Sequence, residues 1–509
     1  MPALPWWFLA VFVLGVNFVI WGIIGVVRVM ETRRSRPPGR PSSGGQVAAR
    51  NASLSVSDVA VLMPAHNEAA VLHASLEAIT ELVPLENIHV VSDGSTDSTP
   101  QIARAAGVAV YETEHNVGKA GALQAAIEHF SLVDRFPVVL LLDADTKVDP
   151  GYFGQALPLF DSPGVVAVAG CVRTARDRRL SLAGNILVGH RERIYAIGQR
   201  VLKFGQTYLR ANATHIVPGF ASMYRTAVLP DMEMNPPGLV IEDFNMTFEI
   251  YQKRLGKVAF TLRAVAETQD PATLHDYVKQ TRRWAVGLWQ TVRRHPPRAN
   301  LFTAMLSVLL LELITSSAIF LLLPFLLAVL VVPDLLHSTL DWLPFANVHA
   351  MVAAHMKFSA VLFGVALPDY ALTVLVAVLD RRPRLLLLGL FFPLLRIVDA
   401  AIGLTAIPAG WFVRSNGTWK SPARRAIEAP AEPLAAAAAP AGTAAPAPAA
   451  EQPAPAAEQP APAAEEPVPA REEADGGRPA AAELPPTEPA TAVSAPYAAL
   501  VKERTHAHG

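Results

Sequence analysis

The stretch PVVLLLDAD, residues 137–145, is an apolar run that ends in two aspartates separated by one residue. A short apolar run of this kind predicts a buried strand. Three similar runs precede it, namely DVAVLM (58–63), NIHVVS (87–92) and GVAVYE (107–112). Helix-like spacing lies between the runs, over residues 69–82, 98–106 and 118–130. Strands that alternate with helices predict an α/β domain with a mostly parallel, doubly wound sheet.

Polar motifs follow three of the predicted strands. They are PAHNE (64–68) after the first, DGSTD (93–97) after the second and DAD (143–145) after the fourth. In open α/β sheets, ligands bind at the carboxyl ends of the strands, near a switch in strand order. We therefore expect these three motifs to contribute to one binding site.

Asp143 and Asp145 are candidate ligands for a hard divalent cation. Their spacing can direct both carboxylates to one strand end, and Mg²⁺ or Mn²⁺ prefers such oxygen ligands and shares them with substrate phosphates. The cation would neutralise charge on a diphosphate leaving group. Lys119, at a predicted helix start, could add charge to the same diphosphate. Taken alone, a D-x-D string more often marks a turn or cap, and a lone lysine a solvated surface.

Two later motifs offer further chemistry. Glu242 and Asp243 open an amphipathic helix. Asp243 could be a general base for an acceptor hydroxyl, and an acidic helix cap is the plainer alternative. KQTRRW (279–284) lies on a basic amphipathic helix at about residues 272–295. That helix could anchor at a membrane interface, or it could offer an arginine to a diphosphate and an indole face to a sugar ring.

The composition points to a membrane protein. The chain has 509 residues, of which 51% are hydrophobic, and its mean hydropathy of +0.30 is high for a soluble protein. The net charge of −1 gives no indication of a nucleic-acid partner. The single cysteine, Cys171, excludes an intramolecular disulfide and a cysteine-rich zinc site. We expect it to be a buried apolar side chain.

Residues 5–27 form an uncharged apolar run that is long enough to cross a bilayer. A secretory signal would instead carry basic residues before the apolar run and a small-residue cleavage site. Here the basic residues follow the run, beginning at Arg28. By the positive-inside rule, the domain that follows is cytosolic.

Further membrane helices are predicted at residues 304–332 and 358–379. Residues 385–413 are apolar too, but they contain Arg396 and Asp399, which at membrane depth would face a protein interior or a water-filled path. A single crossing there conflicts with the basic residues that follow it. A broken or re-entrant segment would remove this conflict.

These patterns divide the chain into five parts. They are a transmembrane helix (5–27), a basic linker (28–54), an α/β domain (55–300) that ends in the amphipathic helix, a transmembrane region (301–413) and an Ala/Pro/Glu-rich tail (426–509). The tail lacks the aromatic and β-branched residues needed for a core, so it is predicted to be disordered.

Together, and in this order, the motifs resemble those of the inverting glycosyltransferase family 2 polysaccharide synthases, which include cellulose, chitin, hyaluronan and poly-N-acetylglucosamine synthases. The resemblance covers roughly residues 55–420. It implies a GT-A domain (a nucleotide-diphospho-sugar transferase fold) in the cytosol, followed by a membrane channel. The segment NGTWKSPAR (416–424) is similar to a short motif of the poly-N-acetylglucosamine and chitin-oligomer synthases.

The resemblance also implies roles for individual residues. Asp243 would be the catalytic base and Asp145 the metal ligand. With Lys119 added from its charge, the residues expected to bind the nucleotide sugar are Ala65, His66, Glu68, Asp93, Lys119 and Asp143. The residues expected to bind the acceptor or polymer are Gly219, Phe220, Gln280, Arg283 and Trp284. The chain departs from the family pattern where Ser92 replaces an aspartate, His66 a tyrosine and Ile241 a threonine. None of these changes removes a residue assigned to chemistry, and those at His66 and Ser92 bear on the contacts with the nucleotide base.

The implied protein is a processive, inverting β-glycosyltransferase of the plasma membrane that polymerises sugar from a UDP-sugar, with UDP-GlcNAc as the preferred donor. Its cofactor would be Mg²⁺ or Mn²⁺. Its partners would be the UDP-sugar, a polysaccharide or lipid acceptor and the bilayer. An accessory membrane subunit could join them, and no nucleic-acid partner is expected. Two alternatives stay open: a non-processive transferase that makes a glycolipid or polyprenyl-phosphate sugar, and an inactive scaffold or exporter subunit.

Overall fold

The computed structural model describes residues 5–34, 53–177, 179–336, 343–413 and 415. The predicted tail, the NGTWKSPAR segment and most of the predicted linker lie outside the described residues. The division of the chain into five parts therefore stays a prediction at those places.

One eight-stranded sheet forms the centre of the α/β part. Its strands are β1 (Val59–Ala65), β2 (Ile88–Asp93), β3 (Ala109–Thr113), β4 (Val138–Leu142), β5 (Lys147–Val148), β6 (Val165–Thr174), β7 (Ala221–Arg225) and β8 (Lys257–Thr268). Their order across the sheet is β3-β2-β1-β4-β7-β6-β8-β5. The first three strands therefore lie side by side in chain order, from β1 outward to β3. The chain then returns, and β4 pairs with the other side of β1.

The first four strands are parallel, as the sequence predicts. β1 pairs in parallel with both β2 and β4, and β2 pairs in parallel with β3. The remainder of the sheet differs from the prediction, because β7 lies antiparallel to both of its neighbours, β4 and β6. β6 and β8 are parallel again, and β5 is antiparallel to β8. The sheet is thus mixed rather than mostly parallel throughout.

The helices are numbered in chain order. They are α1 (Trp6–Leu14), α2 (Val16–Arg34), α3 (Ala69–Thr80), α4 (Thr99–Ala105), α5 (Lys119–His129), α6 (Leu132–Arg135), α7 (Tyr152–Ala156), α8 (Leu182–Ile197), α9 (Phe204–Gln206), α10 (Glu242–Gln252), α11 (Leu274–Arg294), α12 (Leu301–Leu336), α13 (Leu343–His355), α14 (Phe358–Val361), α15 (Leu367–Leu379), α16 (Arg384–Leu388) and α17 (Phe392–Phe412). A π-helical turn, Gly198–Lys203, joins α8 to α9, and a second one, Leu362–Ala366, joins α14 to α15.

Both faces of the sheet are covered, which explains the uninterrupted apolar runs. In β1, the side chains of Val61 and Met63 join the core layer under α3 and α4, whereas Leu62 joins the layer under α5. This alternation follows from the two-residue period of a strand. Every residue of β1 is buried, so the strand reads as a continuous apolar segment. Cys171 in β6 is buried as predicted.

The first apolar segment is two helices rather than one straight span. α1 and α2 are bent by 66° relative to each other. The break is at Gly15, whose φ of +88° is a conformation that favours glycine. The carboxylate of Glu312 in α12 accepts hydrogen bonds from the backbone N–H of Asn17 at 2.8 Å and from its side-chain amide at 2.9 Å. Glu312 thereby satisfies donors at the amino terminus of α2, where a negative charge is favourable.

The predicted linker begins too early, because α2 continues as a helix to Arg34. The reason is contact with the α/β part. The guanidinium of Arg28 donates to the carbonyl oxygen of Phe204 at 2.7 Å and to that of Phe260 at 2.9 Å. The backbone of Trp21 packs so closely against Gly205 that a side chain there would not fit.

Three helical segments are long and apolar enough to cross a membrane: Leu301–Pro333, Phe358–Leu379 and Arg384–Phe412. The third passes as one helical segment that includes α16 and α17, and the sharply bent pair of helices is the one at Gly15. Its ionisable residues face other helices, as expected. Asp399 accepts a hydrogen bond from Tyr277 in α11 at 2.7 Å, and Arg396 Nε lies 3.6 Å from Asp369.

We predict that Gly205→Ala separates α2 from the α/β part and lowers stability. A Cβ atom at this position would lie 2.2 Å from the carbonyl oxygen of Trp21, so the backbones must move apart. Overpacking of this kind costs about 1–3 kcal/mol. Gly198→Ala, in the same continuous helix but with nothing within 4 Å, is the matched control. The thermal midpoint in detergent should fall for the first variant only, and equal midpoints would contradict the packing argument.

Candidate active site

The predicted site residues gather where the strand order switches. β1 and β4 are neighbours in the sheet but not in the chain, and the motifs after these strands share one edge. The loop before β7 joins this edge, since the backbone N–H of Asp143 donates to the carbonyl oxygen of Phe220 at 2.9 Å. The edge is where ligands bind in folds of this type.

Lys119 lies at the centre of an acidic cluster. Its ammonium nitrogen is 2.6 Å from Asp143 Oδ1 and 3.2 Å from Glu242 Oε1. It also donates to the carbonyl oxygen of Gly219 at 3.3 Å. Lys119 begins α5, Asp143 follows β4 and Glu242 begins α10. One side chain thus connects three elements that are far apart in sequence.

The charges of the cluster shift its pKa values. Burial acts to lower the pKa of Lys119, but Asp143 and Glu242 outweigh it and raise that pKa above its ordinary value. Burial raises the pKa of Asp143, although the Lys119 ammonium opposes this effect. For Glu242, burial acts upward, but the nearby Lys119 lowers the pKa below its usual range. We therefore expect Lys119 to be charged and to stabilise the ionised form of Glu242.

Asp243 is next to this cluster and has the properties of a general base. Its Oδ2 accepts from the backbone N–H of Gly219 at 3.4 Å, and its Oδ1 accepts from the N–H of Phe244 at 2.7 Å. Burial raises its pKa to about 7, with the charge of Glu242 acting in the same direction. A carboxyl group with a pKa near neutrality can exchange a proton with a hydroxyl at physiological pH.

Asp145 fits the role of a cation ligand by its chemistry and its position. Its side chain is 7% exposed, and its Oδ2 accepts from Thr268 Oγ1, at the end of β8, at 3.3 Å. Asp143 lies two residues earlier on the same strand end. No group of three or more His, Cys, Asp or Glu residues arranged for a metal occurs among the described residues. Two carboxylates are a fitting partial set for Mg²⁺ or Mn²⁺, which takes its other ligands from water and substrate phosphates.

The other predicted nucleotide residues form a second group at this edge. His66 Nδ1 lies 2.5 Å from the carbonyl oxygen of Asp93. Ala65 ends β1, where it pairs with Ser92 in β2. Glu68 is 2% exposed, and its backbone N–H donates to Thr99 Oγ1 at 2.9 Å. His66 is the half-buried side chain of this group.

The carboxylate of Asp93 is occupied by the protein itself. It is fully buried and accepts hydrogen bonds from Thr113 Oγ1 at 3.0 Å, from the backbone N–H of Val117 at 2.8 Å and from that of Gly118 at 2.9 Å. These bonds fix the loop that leads to Lys119. In this conformation Asp93 positions the lysine loop, so a direct contact with a nucleotide base stays a prediction.

The residues of the KQTRRW helix gather around an arginine that the sequence argument missed. Arg191 in α8 donates a hydrogen bond from Nη2 to Gln280 Oε1 at 3.2 Å. Its guanidinium carbon also lies 4.6 Å from the ring centroid of Trp284, and both partners are in α11. Arg283 acts on the acidic cluster by its charge, which helps to lower the pKa of Glu242. A signal for Arg191 exists in the sequence, since HRER (190–193) is a charged run within an otherwise amphipathic helix.

Comparison with known proteins finds a family model that matches the part of the chain carrying Lys119 and Asp143. Residues 60–232 match the family described as glycosyl transferase family 2. Residues 60–232 are therefore similar to a glycosyltransferase family 2 domain and are referred to by that name below. The mixed sheet and the apolar helices after it agree with this match, so the predicted GT-A domain with apolar helices is confirmed, as is the prediction of an enzyme that transfers sugars.

Two curated relatives of the family 2 domain come from bacteria. The glycosyltransferase YaiP of Escherichia coli is 29% identical over 242 residues, which are 46% of this chain and 57% of the relative. The hyaluronan synthase of Streptococcus pyogenes is 24% identical over 246 residues, which are 44% of this chain and 56% of the relative. The chain thus spans slightly more than half the length of the curated relatives that it matches.

One solved structure similar to the chain is a mannosyltransferase from Pyrobaculum calidifontis in complex with GDP-Man and Mn²⁺. It has a TM-score of 0.45 and 18% sequence identity, and the similarity covers 77% of this chain and 99% of the mannosyltransferase.

We predict that Lys119→Gln destabilises the family 2 domain, and more so at high pH. Without the ammonium, Asp143 and Glu242 are carboxylates near each other with no cation, which costs about 3 kcal/mol when they are ionised. Lys119 lowers both of their pKa values, so its loss raises them. Because a raised folded-state pKa removes stability as pH rises above the unfolded value, the loss should be larger at pH 8 than at pH 5.

Thermal unfolding at these two pH values is the measurement. Lys257→Gln, at an exposed position on β8, is the matched control and should leave the midpoint unchanged at both. A pH-independent loss in Lys119→Gln would indicate a packing defect rather than the loss of a counter-charge.

Proposed function

We propose that this protein is an inverting, processive β-glycosyltransferase that polymerises sugar from a UDP-sugar, with UDP-GlcNAc as the preferred donor. The observation that carries the proposal is the cluster of Lys119, Asp143 and Glu242 beside Asp243, in a family 2 domain that precedes apolar helices. The proposed roles are a cation for the diphosphate at Lys119, a carboxylate for the metal at Asp143 and a base at Asp243, and the three groups lie at one edge of the sheet.

The donor would bind with its diphosphate at Lys119 and at Asp143 and Asp145. Asp143 and Asp145 would hold a divalent cation, which would neutralise charge on the leaving diphosphate. Lys119, now paired with Asp143 and Glu242, is within reach of the same edge. The amino terminus of α5 would add backbone N–H donors for phosphate oxygens.

Asp243 would accept the proton of the attacking hydroxyl. The hydroxyl oxygen attacks the anomeric carbon as the bond to the diphosphate breaks, so the configuration at that carbon inverts. The proton moves to Asp243, and UDP takes the electron pair of the broken bond. The backbone N–H of Gly219, which donates to Asp243, would orient the carboxylate toward the acceptor. Phe220 follows on the same loop, where it would contact the acceptor end.

The processive part of the proposal rests on α11 and its link to the apolar helices. Tyr277 donates to Asp399 in α17, and Gln290 Nε2 donates to the carbonyl oxygen of Val413 at 3.1 Å. Gln290 Oε1 also accepts from the backbone N–H of Val240, just before Asp243. A helix that contacts both the segment before the predicted base and the apolar region is suitably located to guide a growing chain. The hyaluronan synthase relative supports a polymer product.

We predict that Asp243→Asn abolishes sugar transfer and leaves donor binding intact. Asparagine has nearly the same shape but cannot take up the proton of the acceptor hydroxyl. Loss of a general base costs typically 10²–10⁴-fold in rate. Transfer in membranes and UDP-sugar binding by calorimetry are the two measurements. Asp134→Asn, at an exposed position, should match the wild type in both, and retained transfer in Asp243→Asn would rule out its assignment as the base.

We predict an acid limb in the pH profile of transfer. Asp243 must be ionised to act as the base, and its pKa is about 7. Below that value the ionised fraction falls about tenfold for each pH unit, so log kcat/KM should decline with a slope of one. The measurement is kcat/KM from pH 5 to 9 with donor and cation fixed. A flat profile from pH 5 to 8 would contradict the role of Asp243.

We predict that the protein makes a long polymer from UDP-GlcNAc and that Mg²⁺ or Mn²⁺ is required. Radiolabelled UDP-GlcNAc, UDP-Glc and UDP-GlcA are incubated separately with membranes, with and without EDTA, and the product is sized by gel filtration. A product carrying one added sugar would favour a glycolipid or polyprenyl-phosphate transferase. The absence of UDP release from every donor would favour an inactive scaffold.

A further inference from the structure

A buried arginine outside the acidic cluster contacts the predicted acceptor helix. Arg191 in α8 is 4% exposed. Its Nη2 donates to Gln280 Oε1 at 3.2 Å and to Thr281 Oγ1 at 2.9 Å. Its guanidinium carbon lies 4.6 Å from the ring centroid of Trp284. One side chain therefore contacts both Gln280 and Trp284, two of the three α11 residues predicted to hold the acceptor.

The geometry suits arginine and no other cation. The guanidinium carbon also lies 4.7 Å from the ring centroid of Tyr277, so two aromatic rings of α11 lie against one planar group. A guanidinium can stack on aromatic faces while its N–H groups point outward to hydrogen-bond acceptors. A lysine would keep the charge at this place, but it would lose the planar stack and the forked donors.

The other side of Arg191 faces Asp270, at the donor end of the sheet, which is the edge where the nucleotide sugar is predicted to bind. Arg191 Nε lies 3.9 Å from Asp270 Oδ1, and the Asp270 side chain is 2% exposed. Asp270 is held in turn, since it accepts from Thr174 Oγ1 at 2.8 Å and from the hydroxyl of Tyr195 at 3.0 Å. A buried guanidinium is stable only with such fixed partners.

Asp270 is close to the predicted metal ligand. It follows β8, whose last residue, Thr268, donates to Asp145 Oδ2 at 3.3 Å. Burial raises the pKa of Asp270, and the charge of Asp145 acts in the same direction. The contacts therefore run from Asp145 through the end of β8 to Asp270, and from there through Arg191 to α11.

We propose that Arg191 is a positioning residue that fixes the acceptor-binding helix α11 relative to the donor end of the sheet. The inference rests on the proposed function. Arg191 itself is placed to touch neither the donor nor the reacting atoms. Its contribution is the placement of Gln280 and Trp284, so its replacement should weaken the binding of the acceptor.

Arg193 offers a matched control two residues further along α8. It is 2% exposed, so its burial equals that of Arg191. Its Nη1 donates to Asp369 Oδ2 at 2.9 Å and to Thr373 Oγ1 at 3.0 Å, both in α15. The two arginines share a helix and an environment of low polarity, but only Arg191 contacts α11 through hydrogen bonds.

The experiment compares Arg191→Lys with Arg193→Lys in the full-length protein in nanodiscs. The donor is the UDP-sugar that the wild type uses, and the acceptor is a tetramer of the same sugar. For Arg191→Lys we expect the acceptor KM to rise at least tenfold while the donor KM stays within twofold. For Arg193→Lys both KM values should stay within twofold of the wild type, even if its melting temperature falls by as much as that of Arg191→Lys.

A double variant tests whether Arg191 and Trp284 act together. Trp284→Phe weakens the stacking partner of the guanidinium. If the two residues act together, the double variant Arg191→Lys, Trp284→Phe should have an acceptor KM close to that of the more affected single variant. If Arg191→Lys prevents folding, Thr281→Val removes one hydrogen bond of the guanidinium without a change in shape. That variant should raise the acceptor KM about threefold, with a donor KM equal to that of the wild type.

The outcomes separate this inference from the proposed function. An unchanged acceptor KM in Arg191→Lys, or an equal rise in Arg193→Lys, overturns the positioning role while transfer by the wild type stands. An equal rise of donor and acceptor KM also overturns it, because a general structural defect would explain both. The absence of transfer by the wild type from any UDP-sugar overturns the proposed function and the inference with it.

Discussion

The ion pair between Lys119 and Asp143 is the constraint on which the site depends. The Lys119 ammonium connects α5, the end of β4 and the start of α10, and it also contacts the loop before β7. Without it, the carboxylates at this edge would repel one another. The buried carboxylate of Asp93 fixes the loop that carries the lysine. The base candidate Asp243 follows Glu242 directly, so its surroundings depend on this ion pair and on the loop that Asp93 fixes.

The family 2 domain and the apolar helices are joined through α11 rather than by a flexible connection. α11 is hydrogen-bonded to α17 at Tyr277 and at Gln290, and to the segment before α10 at Val240. α2 makes a separate connection, because Arg28 bonds to carbonyl oxygens next to β8 and α9. The site is thus fixed to apolar helices from two sides.

Local patterns predicted the first half of the sheet, because β1 to β4 are buried on both faces and are separated by helices with clear periodicity. The second half could not be predicted, since β7 pairs antiparallel with β4 across 78 or more intervening residues and no local pattern states which strand it joins. Asp143 and Asp145 were found from their position at a strand end, and Glu242 and Asp243 from their position at the start of an amphipathic helix. Arg191 was missed, because its partners lie 89 and 90 residues away and only the tertiary fold brings them together.

Cys171 gives the protein a practical property. Its thiol lies in β6 with 7% exposure, and burial raises its pKa to about 11. At neutral pH it is protonated and shielded, so thiol reagents reach it slowly. Because the sequence contains no second cysteine, a cysteine introduced at any exposed position would be the one readily labelled thiol in the chain. Maleimide labelling from either side of the bilayer could then map the path of each apolar helix without first removing native cysteines.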